Sequence, residues 1–166
     1  EAWGILERLW PETIAHARAL PPERLHERVD DEWSFIETMR HLLMVVDAWV
    51  KRALLADPAP YHPLGLPHSE MEPDPVVPND PDARPSLDEV LPAFEERLAL
   101  VREHLARLTD EELDGEGPLL PAPGYPPAGS YPVRRCLGAV VSELWEHRLI
   151  AERDLAALEG STPTSS

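Results

Sequence analysis

The sequence predicts an all-α fold, a four-helix bundle, from three observations. Four segments repeat apolar residues at three- and four-residue spacing, proline-rich stretches separate them, and no segment alternates apolar and polar residues as a half-buried strand does. Hydrophobic residues make up 43% and charged residues 28% of the 166 residues, which is a globular composition. We therefore expect one domain over residues 1–160 and a disordered tail at 161–166.

The first predicted helix covers residues 3–20. Pro11 falls inside the apolar stripe, so the helix either bends there or starts there. Pro21 and Pro22 end the segment. Its stripe consists of Trp3, Leu6, Leu9, Trp10, Ile14 and Ala17.

The second predicted helix begins sharply at Ser34 and continues until Pro58 closes the segment. Ser34 and Glu37 form a capping-box pattern, in which the serine oxygen accepts from the third amide and the glutamate reaches back. Apolar residues flank His41 on both sides, which predicts a central position for this helix. Its stripe is Phe35, Leu42, Val45, Val46, Trp49 and Ala53.

The third and fourth predicted helices cover residues 86–108 and 132–158. Ser86 and Glu89 repeat the capping-box pattern at the start of the third helix, and Pro132 suits the first turn of the fourth. Gly160 follows the last helix, where a glycine is common.

The two segments between these helices are long and rich in proline. Helices two and three are separated by residues 58–85, whereas antiparallel neighbours are usually joined by short links. A crossover of that length favours parallel second and third helices, hence an up-down-down-up order. Two interpretations stay open for this crossover and for residues 115–131: each is either an ordered binding loop or a disordered segment.

Charge and cysteine content limit the classes of partner. The formal net charge is −16, so the chain repels phosphates, and we expect neither nucleic acid nor a membrane surface as a partner. The longest apolar runs are far too short to cross a bilayer. A single cysteine, Cys136, cannot form an internal disulfide, and the first residues lack the pattern of a signal peptide. We expect a cytoplasmic protein.

Two of the seven histidines lie in the middle of apolar helix segments, and they suggest a metal site. Glu143 and His147 are four residues apart, so both side chains lie on one face of the last helix. His41 on helix two is the natural third ligand in a bundle core. Two imidazoles and a carboxylate suit zinc, nickel, iron or manganese and leave positions open for water or substrate. By spacing alone, an exposed ion pair stays an alternative, and Glu146 is a competing carboxylate.

Two segments resemble known sequences. Residues 33–42, Trp-Ser-Phe-Ile-Glu-Thr-Met-Arg-His-Leu, are similar to the second-helix signature of the DinB-like superfamily of four-helix bundles. Residues 143–148, Glu-Leu-Trp-Glu-His-Arg, resemble its last helix, with Glu143 where a histidine is usual. This version looks like the metal-binding domain of mycothiol-dependent maleylpyruvate isomerase.

The resemblance implies a metal ion held by His41, Glu143 and His147, most simply zinc. It also implies a reaction class, in which a low-molecular-weight thiol such as mycothiol or bacillithiol attacks a small electrophile. Two alternatives stay open: a non-catalytic bundle that binds a small ligand or partner, and a homodimer formed through exposed tryptophans.

The remaining reactive or aromatic residues have simpler interpretations. We expect Cys136 to be a small core residue. We expect Tyr61, His62 and His68 to decorate the crossover, and a position over the mouth of the metal site is their alternative. Two positions stay open for three of the tryptophans. They lie either in the core or an interface, or else beside the metal site: Trp33, Trp49 and Trp145.

Overall fold

The computed structural model describes residues 1–161 and is all-helical, as the sequence predicts. Its α-helices are α1 (Ala2–Arg18), α2 (Phe35–Val46), α3 (Leu87–Arg107), the short α4 (Asp110–Leu113) and α5 (Val133–Glu159). A 3-10 helix covers Pro22–His26, and α2 continues into a π-helical segment, Asp47–Arg52. Within residues 1–161, no helix has the length and apolar character needed to cross a membrane. Residues 162–166 of the predicted tail lie outside the described residues.

The predicted capping boxes set the starts of α2 and α3. Ser34 Oγ accepts from the Glu37 amide at 3.2 Å, and the Ser34 amide donates to Glu37 Oε2 at 2.8 Å. Ser86 and Glu89 exchange the same pair of hydrogen bonds at α3. Each cap satisfies amides that the first helical turn leaves free, which is worth about 1 kcal/mol. By contrast, Pro11 lies inside α1 and does not start it.

α2 is the central helix of the bundle, as its apolar flanks predict. Every residue of α2 except Glu37 is buried, and the helix packs against both α3 and α5. The main core continues between α1 and α3, where the rings of Trp10 and Phe94 meet edge-on with centroids 5.1 Å apart. Side chains on α2 are therefore held rigidly, and His41 is among them.

Two surface ion pairs give the relative direction of α1 and α3. Arg18, at the end of α1, contacts Asp88 at the start of α3 at 3.0 Å. Glu7 and Arg102 meet at 3.1 Å near the opposite ends. α1 and α3 therefore run antiparallel, which an up-down-down-up order requires. The order of all the main helices stays a prediction.

The crossover between α2 and α3 is tied to the bundle by one buried arginine. The Arg40 guanidinium donates to three crossover carbonyls: Nε to Leu64 at 2.8 Å, Nη1 to Ala83 at 3.1 Å and Nη2 to Asp80 at 2.6 Å. Arg40 is fully buried, so these bonds replace the water that its charge would otherwise need. Of the two alternatives for this segment, the structure shows an ordered loop anchored on α2.

A second buried contact fixes the π-helical segment to α3. Arg97 Nε lies 2.7 Å from Asp47 Oδ1, and the His62 amide donates to Asp47 Oδ2 at 2.8 Å. Both charged side chains are almost entirely out of solvent. The pair links the π-helical segment, α3 and the crossover in one place, six residues after His41 along the chain.

Candidate metal centre

The candidate metal centre lies where α2 faces the middle of α5. The capped start at Ser34 fixes the helix phase, and His41 follows two turns later with a fully buried side chain. Glu143 and His147 lie one turn apart on α5 and share a face. The structure thus brings together the three residues that the sequence pattern selects.

One carboxylate oxygen is shared by two imidazoles. Glu143 Oε2 lies 3.1 Å from His41 Nε2 and 3.1 Å from His147 Nε2. Ligand atoms at about 2.0–2.2 Å from a tetrahedral zinc ion lie about 3.3–3.6 Å from one another. These two distances are therefore close to the spacing that zinc ligands adopt, and the chemistry of the donors suits a divalent ion.

The inner nitrogen of His41 determines what its outer nitrogen can offer. His41 Nδ1 lies 3.0 Å from the carbonyl oxygen of Leu66, which can only accept, so Nδ1 donates its proton there. In the neutral ring the lone pair is then on Nε2, facing Glu143 Oε2. Two acceptors at 3.1 Å repel unless a positive charge accompanies them, either a second proton on the ring or a metal ion. A backbone carbonyl on the far nitrogen is also the usual support of a metal-binding histidine.

Glu143 supplies the negative charge of the centre. Hydrogen bonds with His147 and then with His41 hold the pKa of Glu143 far below its ordinary range. They outweigh partial burial, which acts in the opposite direction. The carboxylate is therefore ionised at neutral pH, and the ionised form is the one that binds a cation.

His68 joins the centre, contrary to the expectation that it decorates the loop. One ligand atom each from His41, His68 and Glu143 lie within 4.8 Å of one another, and these three form a group able to hold a metal ion. The rings of His41 and His68 have centroids 4.4 Å apart. Partial burial of the ring and the neighbouring His41 lower the pKa of His68, although the residue as a whole is exposed. His147 as a ligand stays a prediction, and His68 becomes a further candidate.

Sequence reasoning gave a position over the site only as the less favoured alternative for His68, because that position depends on the crossover, which has no periodic pattern. The Arg40 bond to Leu64 and the His41 bond to Leu66 bring the chain across the centre just before His68. The Leu66 amide also donates to the Arg40 carbonyl at 3.2 Å. The sequence offered one signal: His68 lies in the crossover, and the crossover has to pass the exposed end of the predicted metal site.

Trp33 forms one wall of the centre and leaves it open on one side. Its ring centroid lies 4.7 Å from that of His41, 6.1 Å from His147 and 6.4 Å from His68. A cavity of about 220 Å³ adjoins this wall. Its lining includes Asp31, Glu32, Trp33, Thr38, His147 and Ile150. The centre therefore combines one fully buried donor, His41, with an approach for a small molecule.

Other residues singled out in the sequence lie away from the centre. Glu146 lines a separate depression with Trp145 and Ile5, so Glu143 is the carboxylate that faces His41. Cys136 is a small core residue as predicted, because it is fully buried beside Leu120, and burial raises the pKa of its thiol to about 11.

Comparison with known proteins supports the resemblance found in the sequence. A family model described as DinB superfamily matches residues 5–151, which is most of the chain. No curated protein and no solved structure was found to match.

Proposed function

Because the chain belongs to the DinB superfamily, we propose that it binds one divalent metal ion and acts as a metal-dependent thiol S-transferase on a small electrophile. The observation that carries the proposal is the sharing of Glu143 Oε2 between His41 Nε2 and His147 Nε2. Zinc is the expected ion, and nickel, iron and manganese are compatible with the same donors. The expected thiol is of the mycothiol or bacillithiol type.

Each residue of the centre has a separate task in this proposal. His41, Glu143 and His147 hold the ion, and the Leu66 carbonyl keeps the His41 ring oriented toward it. When bound, a divalent cation lowers the pKa of a bound water or thiol, so that a nucleophile forms near neutral pH. Trp33 shields one side from water, and the adjoining cavity leaves room for an electrophile of small size.

The first test is elemental analysis of tag-free protein purified without chelator, beside the variants His41→Ala and His16→Ala. His16 is the matched control, because it also contacts glutamates but lies on α1 and at a distance from the centre. We expect one ion per chain in the parent and in His16→Ala, and none in His41→Ala. Equal metal content in all three proteins would refute the site.

The second test is thiol addition by the metal-loaded protein. The probe is 1-chloro-2,4-dinitrobenzene, which forms a carbon–sulfur bond as chloride leaves and the thiol proton passes to the buffer. We expect a rate above that of the uncatalysed reaction with mycothiol or bacillithiol, lost in His41→Ala. Metal binding without turnover on this and related electrophiles would replace the transferase with a non-catalytic ligand-binding bundle.

A further inference from the structure

A large cleft is separate from the metal centre. It has a volume of about 840 Å³ and lies between the beginning of the crossover and the loop that precedes α5. Arg52 follows His41 by eleven residues on one continuous helical segment, which places it about 15 Å farther along the bundle. The lining includes Tyr61, Pro63, Val76, Pro78, Leu120 and Pro123. The function proposed above uses none of these residues.

Arg52 places one positive charge in the lining of this cleft. Arg52 is only 6% exposed and lines the cleft. Its Nε donates to the Pro126 carbonyl at 3.1 Å, and its Nη2 donates to the Pro121 carbonyl at 2.6 Å. Both acceptors are neutral, so these bonds orient the guanidinium without neutralising its charge. Within residues 1–161, Nη1 has no hydrogen-bond partner and is not sealed from solvent.

Arg40 and Arg52 differ in how many of their guanidinium nitrogens form hydrogen bonds. Both arginines lie on the same helical segment and both donate to loop carbonyls. Arg40 uses all three of its guanidinium nitrogens and is fully buried, so no ligand can reach it. Arg52 bonds through two nitrogens, its Nη1 has no partner within residues 1–161, and the residue lines the cleft. Its charge is therefore available to an anion there.

The loop before α5 is shaped to hold the Arg52 guanidinium. Gly124 has φ of 136°, in a region that other residues rarely adopt, and a Cβ there would lie 2.5 Å from Arg52 Cζ. A glycine is needed at this position both for the backbone conformation and for the close approach of the guanidinium. The charge is thus held in a fixed place and orientation.

The rest of the cleft favours an apolar body over a second charge. The Tyr61 hydroxyl donates to the Tyr125 carbonyl and accepts from the Tyr125 amide, so only its ring is left for a ligand. Asp57 also lines the cleft, but its carboxylate lies 3.6 Å from Lys51 Nζ and accepts from the Ala59 amide. Proline and aromatic rings give flat apolar walls that pack well against another ring.

We propose that this cleft binds a small monocarboxylate with an apolar, ring-shaped body. The carboxylate accepts from Arg52 Nη1 in a charge-assisted hydrogen bond, and the body packs between the proline segments and Tyr61. A volume of about 840 Å³ has room for a molecule of one or two rings.

The test is isothermal titration of the full chain with phenylacetate and indole-3-acetate, each beside its neutral amide. We expect both carboxylates to bind and each amide to bind at least about tenfold more weakly, since the amide loses the charge-assisted bond. Equal affinity for an acid and its amide, or no binding by either acid, would overturn the proposal.

Variants locate the binding on the cleft. Arg52→Lys keeps the charge but loses the fixed guanidinium, and we expect it to lower the affinity for both carboxylates about tenfold. Ala59→Trp fills the exposed lip of the cleft without touching Arg52 and should abolish binding. Arg134→Gln, at an exposed ion pair with Asp114, is the matched control and should bind as the parent does. Unchanged binding in both Arg52→Lys and Ala59→Trp would refute the cleft as the site.

Metal loading separates this cleft from the metal centre. The zinc-loaded and the metal-free parent should bind the carboxylates equally tightly, because Arg52 lies well away from His41. A carboxylate affinity that changes with bound zinc would show that the probes bind at the metal centre, and it would overturn the proposal.

Discussion

The molecule has two clusters of histidine and glutamate between helices, and they differ in how their donor atoms are arranged. At the metal centre, one oxygen of Glu143 lies between Nε2 of His41 and Nε2 of His147. At the other cluster, His16 on α1 lies between two glutamates of α5, with Nδ1 at 2.8 Å from Glu152 and Nε2 at 2.9 Å from Glu159.

The difference shows why residue types alone do not define a metal site. In the first cluster, one ligand atom each of His41, His68 and Glu143 lie within 4.8 Å of one another, which is the arrangement that a cation needs. In the second, the two carboxylates approach opposite nitrogens of one ring, so their oxygens diverge and a proton on the ring satisfies them. Both clusters lie across a helix interface, and the first also contacts the crossover through Leu66 and His68.

The largest expected effect is on the free energy of unfolding, when Arg40, which anchors the crossover, is replaced. Arg40→Met leaves the partly buried carbonyls of Leu64, Asp80 and Ala83 without their donors. A buried carbonyl that loses its partner costs about 1–3 kcal/mol and a partly buried one costs less, so we expect the free energy of unfolding to fall by about 3 kcal/mol in total. Urea unfolding measures this.

The matched control for Arg40→Met is Arg107→Met on the exposed surface of α3. Its guanidinium is 82% exposed and lies 3.9 Å from Glu103. We expect a change within about 0.5 kcal/mol. Equal losses in the two variants would show that Arg40 does not anchor the crossover.

An intermediate effect is expected at His68, the residue that distinguishes the metal centre from the His16 cluster. His68→Ala should weaken zinc binding about tenfold if the ring adds to the donors of His41 and Glu143. Competition with a coloured zinc chelator measures the affinity, and the visible spectrum of the cobalt-substituted protein reports any change in ligands. His104→Ala, on α3, is the control. An unchanged affinity together with an unchanged cobalt spectrum would exclude His68 as a ligand.

The smallest expected effect is the pH dependence contributed by His16. Its hydrogen bond to Glu152, reinforced by Glu159, raises the pKa of His16 above its ordinary value. The protonated ring therefore stabilises the fold fully below about pH 6.5, and this contribution is lost as pH rises through the raised pKa. Urea unfolding of the parent and His16→Gln should differ more at pH 6 than at pH 8.5.

His104 gives a control of opposite sign for His16. Burial lowers the pKa of His104, so protonation of the unfolded chain destabilises the fold as pH falls through the ordinary histidine range. The parent should therefore lose stability relative to His104→Gln on going from pH 8.5 to pH 6. The same trend in both variants would mean that the contacts of the two rings do not control the pH dependence.

The parts of the fold that depend on local sequence were predictable. Ser34 with Glu37 and Ser86 with Glu89 are recognisable from their spacing, because a capping box involves only four consecutive residues. The i, i+4 spacing of Glu143 and His147 likewise follows from the helix itself. His41 needed the additional inference that two helices face each other, which the apolar flanks of α2 supported.

Contacts that depend on the path of the loops were not predictable. The crossover and the loop before α5 have no periodic pattern, and nothing in the sequence marks Leu66 or Pro126 as an acceptor. The same holds for the π-helical turn that ends α2. His68 and Arg52 therefore gain their importance only when the loops are in place.

The sequence by itself determined the helices, their caps and the pairing of Glu143 with His147, since each depends on residues within a turn or two of one another. The tertiary structure decided that these two residues face His41, that His16 meets diverging carboxylates, and that Arg52 lines a cleft. The physical reason is that helix formation is a local property, whereas convergence of donor atoms and burial of a charge depend on segments far apart in the chain.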